Sequence, residues 1–201
     1  MRTPRERRHE RTRDAILSAA IEMITREGAD KLSLRKIAQR LDYSPAGLYE
    51  YFGSKEEIID AVCSEGNTRL VNAMKQVPAS LPLEQYLVAL GLAYVTFARQ
   101  NPDYFAFMFM NRAIPPEAMP GSADDLPDDD GFTVLIQAVE RGQQAGLLTR
   151  SGTSLETAYS LWALVHGMAT LQATYLRHVP FDFAAADQRA MESFVAGLMR
   201  E

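Results

Sequence analysis

Three serines, Ser33, Ser44 and Ser54, each stand where a helix can begin, and they lie so close together that the helices between them must be very short. Ser33 is a favourable N-cap, and Leu34, Ile37, Ala38 and Leu41 follow it at helical apolar spacing. Asp42 and Tyr43 cover a turn. Ser44 caps a second helix whose first position is Pro45, where a missing N–H costs nothing, and Gly53 ends it. Ser54-Lys55-Glu56-Glu57 reads as a capping box for a third helix. Helices this short bury little, so their exposed face is expected to contact something. Two short helices across a tight turn match a helix-turn-helix, in which the second helix, here Ser44 to Phe52, lies in the major groove of DNA.

Charge is distributed in keeping with that reading. The net charge of −5 is wrong for a DNA binder as a whole. Residues 1–55, however, hold 12 Lys/Arg against 8 Asp/Glu, a balance of +4, while the remainder holds 9 against 18, a balance of −9. The basic part can neutralise phosphate and the acidic part would be kept away from it. Residues 1–13 contain six arginines and two glutamates, too polar to fold alone, and are expected to be a disordered arm over 1–11. Such an arm either reaches phosphate or the minor groove, or serves as a solubilising tail.

The run Gly47-Leu48-Tyr49-Glu50-Tyr51-Phe52-Gly53-Ser54-Lys55-Glu56, with the apolar stripe of an upstream helix over Thr12–Glu27, resembles the DNA-binding domain of the TetR/AcrR family of bacterial transcriptional regulators. The resemblance is strong over about residues 12–60 and weaker beyond. It implies that Tyr49, Tyr51 and Lys55 contact phosphates or base edges. From the residues themselves, Tyr49 and Tyr51 are two apart and do not share a helical face, so one of them can instead pack on the first helix. Lys55 sits at a helix N-terminus, where the dipole disfavours a cation unless a phosphate offsets it. Ser33, Ser44, Pro45, Ala46 and Gly47 keep the surface small enough for close backbone approach, though the serines also read simply as caps. Arg35, Lys36 and Arg40 can reach phosphate or remain solvated. Glu50 either faces solvent or accepts from a cytosine amino group, solvent being the favoured reading. Leu48 and Phe52 are expected in the core.

The rest of the chain reads as helices only: 56–75, 83–100, a short aromatic one over 103–112, 132–144, 153–176 and 185–200, separated by Pro78, Pro82, Pro102, a Pro- and Asp-rich loop from Ala113 to Gly131, and Pro180. The expectation is an all-α chain of about nine helices, with an arm at 1–11, a DNA-binding domain at 12–55 and a ligand-binding and dimerisation domain at 56–201. In the second half, Trp162, His166 and Gly167 resemble the tryptophan-histidine-glycine signature of one subgroup of the family. Trp162 and His166 share a helical face. They are either core or part of the wall of an effector cavity, as are Tyr94, Phe97, Phe105, Phe107 and Met108, with Phe109 and Met110 beside them. A methionine- and aromatic-rich wall suits a hydrophobic effector.

Apolar content in the last two long helices (Leu164, Met168, Leu171, Tyr175, Phe194, Val195, Leu198) points to a homodimer through a four-helix interface. The resemblance implies a repressor that leaves its operator when the effector binds. A helical-bundle enzyme, or a regulator that senses a protein partner or no ligand, are the alternative readings. Against an enzyme or a metal site, the nearest calcium loop, Leu126–Gln137, lacks its first and last ligands. The one Glu-x-x-His spacing, Glu6 to His9, falls in the arm, and three scattered histidines with one cysteine make no zinc set. No Gly-rich phosphate loop or nucleophile elbow is present, so no cofactor or metal is expected. Cys63 alone forms no intrachain disulfide. No apolar segment follows the basic N-terminus as in a signal peptide, and the longest apolar run, about Tyr86–Ala98, is too short to cross a bilayer. A cytoplasmic protein without membrane contact is expected.

Overall fold

The computed structural model describes residues 3–111, 126–149 and 152–200, and among them the regular structure is helical. Nine α-helices run in order: α1 Pro4–Glu27, α2 Leu34–Arg40, α3 Pro45–Tyr49, α4 Lys55–Lys75, α5 Leu83–Gln100, α6 Pro102–Ala106, α7 Gly131–Gln144, α8 Ser154–Ala173 and α9 Phe183–Ala196. A 3-10 turn, Ala29–Lys31, joins α1 to α2, and a π-helical turn, Phe107–Asn111, follows α6. No helix of the described residues is long and apolar enough to cross a membrane.

The chain divides into two compact units. The first comprises Met1–Gly66 with Asp103–Ala113, the second Asn67–Pro102 with Ile114–Glu201. The expected boundary at 55/56 falls at the start of α4, whereas the units part within that helix after Gly66. In the first unit α1 packs on α2 and α2 on α3. Ile16, Leu17 and Ile24 of α1, Ile37 and Ala38 of α2, Leu48 of α3, Phe52, and Ile58 and Val62 of α4 are buried. In the second unit α5 packs on α8 and α9, and α7 on α8. Gly91 of α5 sits where a Cβ would lie 2.3 Å from Met191 Cε and 3.1 Å from Val165 Cγ1, so a larger residue there would push α9 and α8 away.

Helix starts follow the caps read from sequence. The Gly47 N–H donates to Ser44 Oγ at 3.0 Å. The Glu57 N–H donates to Ser54 Oγ at 3.0 Å, while the Glu57 carboxylate accepts from the N–H of Gly53, one residue before the cap, at 2.6 Å, so the expected box at the head of α4 is shifted by one residue on its carboxylate side. Thr153 and Glu156 form the box expected for α8.

The N-terminal arm differs from expectation. Residues 4–11 are the first turns of α1, not a disordered arm. Thr3 caps them: the Glu6 N–H donates to Thr3 Oγ1 at 3.2 Å and the Thr3 N–H to Glu6 Oε2 at 2.7 Å, with Pro4 at the first helical position. Composition alone misleads here because extending a helix already held by its C-terminal turns avoids the unfavourable nucleation step.

Other ends are shorter than read. The recognition helix stops at Tyr49; the Tyr51 and Phe52 N–H groups both turn back to the Leu48 carbonyl, at 3.0 and 3.2 Å, and so bring Phe52 into the core. α8 ends at Ala173 and α9 at Ala196, after which Leu148 and Met199 form an isolated antiparallel bridge. Most of the Pro- and Asp-rich loop expected from Ala113 to Gly131 lies outside the described residues.

Candidate nucleic-acid interface and effector site

In the first unit, the short second helix forces its small and aromatic residues outward. Leu48 is the one residue of α3 that is buried, so Ser44, Pro45, Ala46 and Tyr49 face out, Tyr49 being 57% exposed. Gly47 is half-buried: a Cβ there would lie 3.2 Å from Ser44 Oγ, so its lack of side chain leaves room for the cap. Glu50 is exposed at the C-terminal end of α3.

Tyr51 does not project from α3 in the same way. Its ring stacks on His9 of α1 (4.5 Å between centroids, 27° between planes) and meets Tyr43 edge-on at 6.4 Å. The Tyr43 and Thr12 hydroxyls are 3.2 Å apart, and the Arg13 guanidinium lies over the Phe52 ring at 5.4 Å. His9, Thr12 and Tyr43 are partners that the sequence reading missed. Their one sequence signal is helical spacing along α1, which counts only once residues 4–11 are known to be helical.

The cations sort by partner. Lys36 pairs with Glu27 at 2.8 Å, and Arg40 pairs with Glu22, so both tie α2 to α1 and face away from the role of phosphate ligand. The Lys36 ammonium also holds the Glu27 carboxyl below its ordinary pKa. Arg35 is exposed, and Ser33 caps α2, its Oγ 3.5 Å from the Lys36 N–H. Lys55 is half-buried at the first position of α4 and donates from Nζ to the Asp30 carbonyl at 3.1 Å, which uses one of its three N–H donors.

The second unit brings together Tyr94, Trp162 and His166. Tyr94 is 4% exposed. Its hydroxyl lies 2.9 Å from His166 Nδ1, and it accepts from the Trp162 indole. Indole only donates, so the assignment that satisfies all three has Tyr94 donating to Nδ1 and the His166 hydrogen on Nε2. Burial pushes the Tyr94 phenol well above its ordinary pKa and pulls the His166 imidazole below 6.5, so the trio is neutral at pH 7. Phe132, at the head of α7, lies with its ring 5.0 Å from that of Trp162 and was not anticipated from sequence.

The remaining cavity candidates are divided between the two units. Phe97 belongs to the second unit and is fully buried. Phe105, Phe107 and Met108 belong to the first, where the two phenylalanines are fully buried. Met108 fills the space left by Gly66, where a Cβ would lie 2.4 Å from its sulfur.

A short outward-facing helix on a three-helix support, joined to a second helical unit with a part-buried polar trio, defines a helix-turn-helix regulator. The family described as "Bacterial regulatory proteins, tetR family" matches residues 16–62, and "Tetracyclin repressor-like, C-terminal domain" matches residues 87–197. The chain belongs to the TetR family of bacterial transcriptional regulators. It is 22% identical over 188 residues to the HTH-type transcriptional regulator YobS of Bacillus subtilis (strain 168), covering 94% of this chain and 93% of that one. It is 28% identical over 168 residues to the HTH-type transcriptional repressor KstR of Rhodococcus jostii (strain RHA1), covering 74% and 78%. A solved structure of a protein of unknown function from Rhodococcus sp. RHA1 superposes with a TM-score of 0.75 at 26% identity, covering 94% of this chain and 95% of that one.

Proposed function

We propose that this regulator is a homodimeric repressor that binds a near-palindromic operator through α3 and releases it when a small hydrophobic effector enters the second unit. The observation that carries the DNA-binding part is the outward face of α3, exposed Tyr49 beside small residues, in the same unit as exposed Arg35 and half-buried Lys55. Ser33, Ser44, Pro45, Ala46, Gly47 and Tyr51 complete the surface. Repression is supported by likeness to a regulator named as a repressor. The neutral Tyr94–His166–Trp162 trio supports the effector site, where an apolar ligand carrying one hydrogen-bonding group would find matched partners. Its Trp162-His166-Gly167 sequence also supports membership of the subgroup with that signature. A regulator that acts on chromosomal operators would do so in the cytoplasm.

The dimer is supported by an oblique ridge across the open side of α8. Leu155, Tyr159, Ala163, Gly167 and Leu171 follow at every fourth position, and Tyr159 is 61% and Leu171 49% exposed. Val195, expected at this interface, is instead buried in its own unit, as is Met191. Helix α9 therefore offers Phe194, with Leu198 in the turn after it, rather than its whole apolar side.

A titration of the purified protein against duplexes from the region upstream of its own coding sequence tests the reading. Affinity is expected to fall linearly in log K against log salt, by roughly 0.9 per phosphate neutralised. Absence of binding to any such duplex, or binding untouched by Tyr49→Ala, overturns it.

A further inference from the structure

We propose that the first turns of α1 are a second DNA-contacting surface, in which Arg5 and Arg8 neutralise phosphates flanking the site covered by α3, and that the His9–Tyr51 stack holds this segment in place. The inference rests on the DNA-binding reading above and adds residues outside the family match, which begins at residue 16.

One face of α1 runs without interruption from the core to this segment. Ile16 is fully buried, Arg13 lies over the Phe52 ring at 5.4 Å, Thr12 meets the Tyr43 hydroxyl at 3.2 Å, and His9 stacks on Tyr51 at 4.5 Å. Arg5 lies four residues before His9 and prolongs that face by one further turn, while Arg8, four before Thr12, stands beside His9 at the edge of the same face. That turn buries nothing: residues 3–9 are exposed. Among the described residues Arg5 and Arg8 have no ion pair. Glu6, an acid of the same turn, is engaged in the Thr3 cap. The structure thus orders an overhanging basic helix next to Tyr43 and Tyr51 with no core to gain.

Duplex DNA fits this surface in spacing as well as in charge. Four residues of helix span about 6 Å. Phosphates of one strand advance about 3.4 Å along the duplex axis, so with α1 laid along the strand Arg5 would reach one or two phosphates beyond those beside Tyr51. Contacts of this kind add affinity and fix register without reading sequence.

The test uses the full-length protein with two labelled probes: the upstream duplex that it binds and a random-sequence duplex of about four helical turns. Arg5→Ala/Arg8→Ala is expected to lower affinity for both probes on the order of tenfold at 0.1 M salt and to reduce the salt slope by roughly 1–2. His9→Ala is expected to reproduce most of that loss, and His9→Phe, which keeps a ring on Tyr51, to restore binding. Far-UV circular dichroism reports whether the segment stays helical. An unchanged slope in the double variant, with binding still lost in Tyr49→Ala, overturns the inference and leaves the DNA-binding reading standing. Failure of the unmodified protein to bind either probe overturns both. If His9→Ala binds like the unmodified protein, the stack does not position the segment.

Discussion

Tyr94 buries a hydroxyl against Trp162 and His166, and this makes His166 a side chain through which pH acts on the second unit. The depressed His166 pKa means that the unfolded chain takes up a proton first as pH falls through 6.5. Stability contributed by neutral His166 is therefore full above that value and is lost progressively as pH drops toward the folded pKa. Thermal unfolding followed by Trp162 fluorescence should show Tm decreasing between pH 7 and about 5, with a shallower decrease in His166→Gln. Equal slopes in the two proteins would mean that His166 does not titrate against the fold. Asp187 acts with the opposite sign: burial raises its carboxyl despite the two 3.0 Å contacts from Gln172 Nε2. Its contribution is full below 3.8 and fades as pH rises through its folded pKa, in a window that starts lower.

The two leading proposed DNA contacts differ at the same scale. Tyr49 is 57% exposed, so Tyr49→Ala should leave folding intact. It should cost on the order of 1–3 kcal/mol of operator binding, with relaxed preference at one base position, if a base edge is touched. Lys55→Ala should weaken operator and random duplex alike and reduce the salt slope by about 1. Because Lys55 also holds the Asp30 carbonyl, a small drop in Tm should accompany it, unlike the tyrosine variant. Binding assays on both duplexes separate the two roles, and a Lys55→Ala protein that discriminates less between them would reverse the assignment.

At the scale of elements, caps are where the sequence is most readable and lengths are where it is least. Thr153 and Glu156 announce α8 because a hydroxyl and a carboxylate three residues apart satisfy each other's backbone N–H groups, whatever lies elsewhere in the chain. Thr153→Ala should therefore lower stability by about 1 kcal/mol in chemical denaturation, with an unchanged m-value. Where a helix stops, by contrast, depends on partners distant in sequence. α3 ends at Tyr49 because Phe52 must turn into the core, and α1 begins at Pro4 because His9 and Thr12 find Tyr51 and Tyr43. Those rings are more than 30 residues away, so helical spacing cannot reveal them. The same limit explains Lys36 and Arg40, which look like phosphate ligands until Glu27 and Glu22 are seen beside them. It explains Val195 too, whose apolar character reads identically for a dimer face and for the protomer's own core. The Leu34–Leu41 spacing, the turn at Asp42 and the burial of Leu48 and Phe52 were legible because all the required residues lie within one supersecondary unit.

For the whole molecule, dimerisation decides whether two α3 helices can reach successive major grooves about 34–36 Å apart. Gly167 offers a way to test the proposed interface that a simple charge insertion does not. It stands in the body of α8, where glycine costs roughly 1 kcal/mol relative to alanine. Yet a Cβ built there has nothing within 4 Å among the described residues, so their packing gives no reason for the missing side chain. Ala163 lies one turn earlier on the same exposed ridge. If a second copy packs on α8, Gly167 and Ala163 are where the two helices approach most closely, and bulk at that point separates them. Gly167→Ala should then raise the intrinsic stability of the protomer, seen as slower hydrogen exchange along α8, while weakening self-association. Gly167→Leu should weaken association much further, and Leu171→Asp should yield monomers because an unpaired charge would be buried. Sedimentation over a concentration series reads association, and the same samples report operator binding, which should fall in step with the dimer fraction. If Gly167→Leu remains a full dimer that binds the operator like the unmodified protein, the interface lies on another face of the second unit.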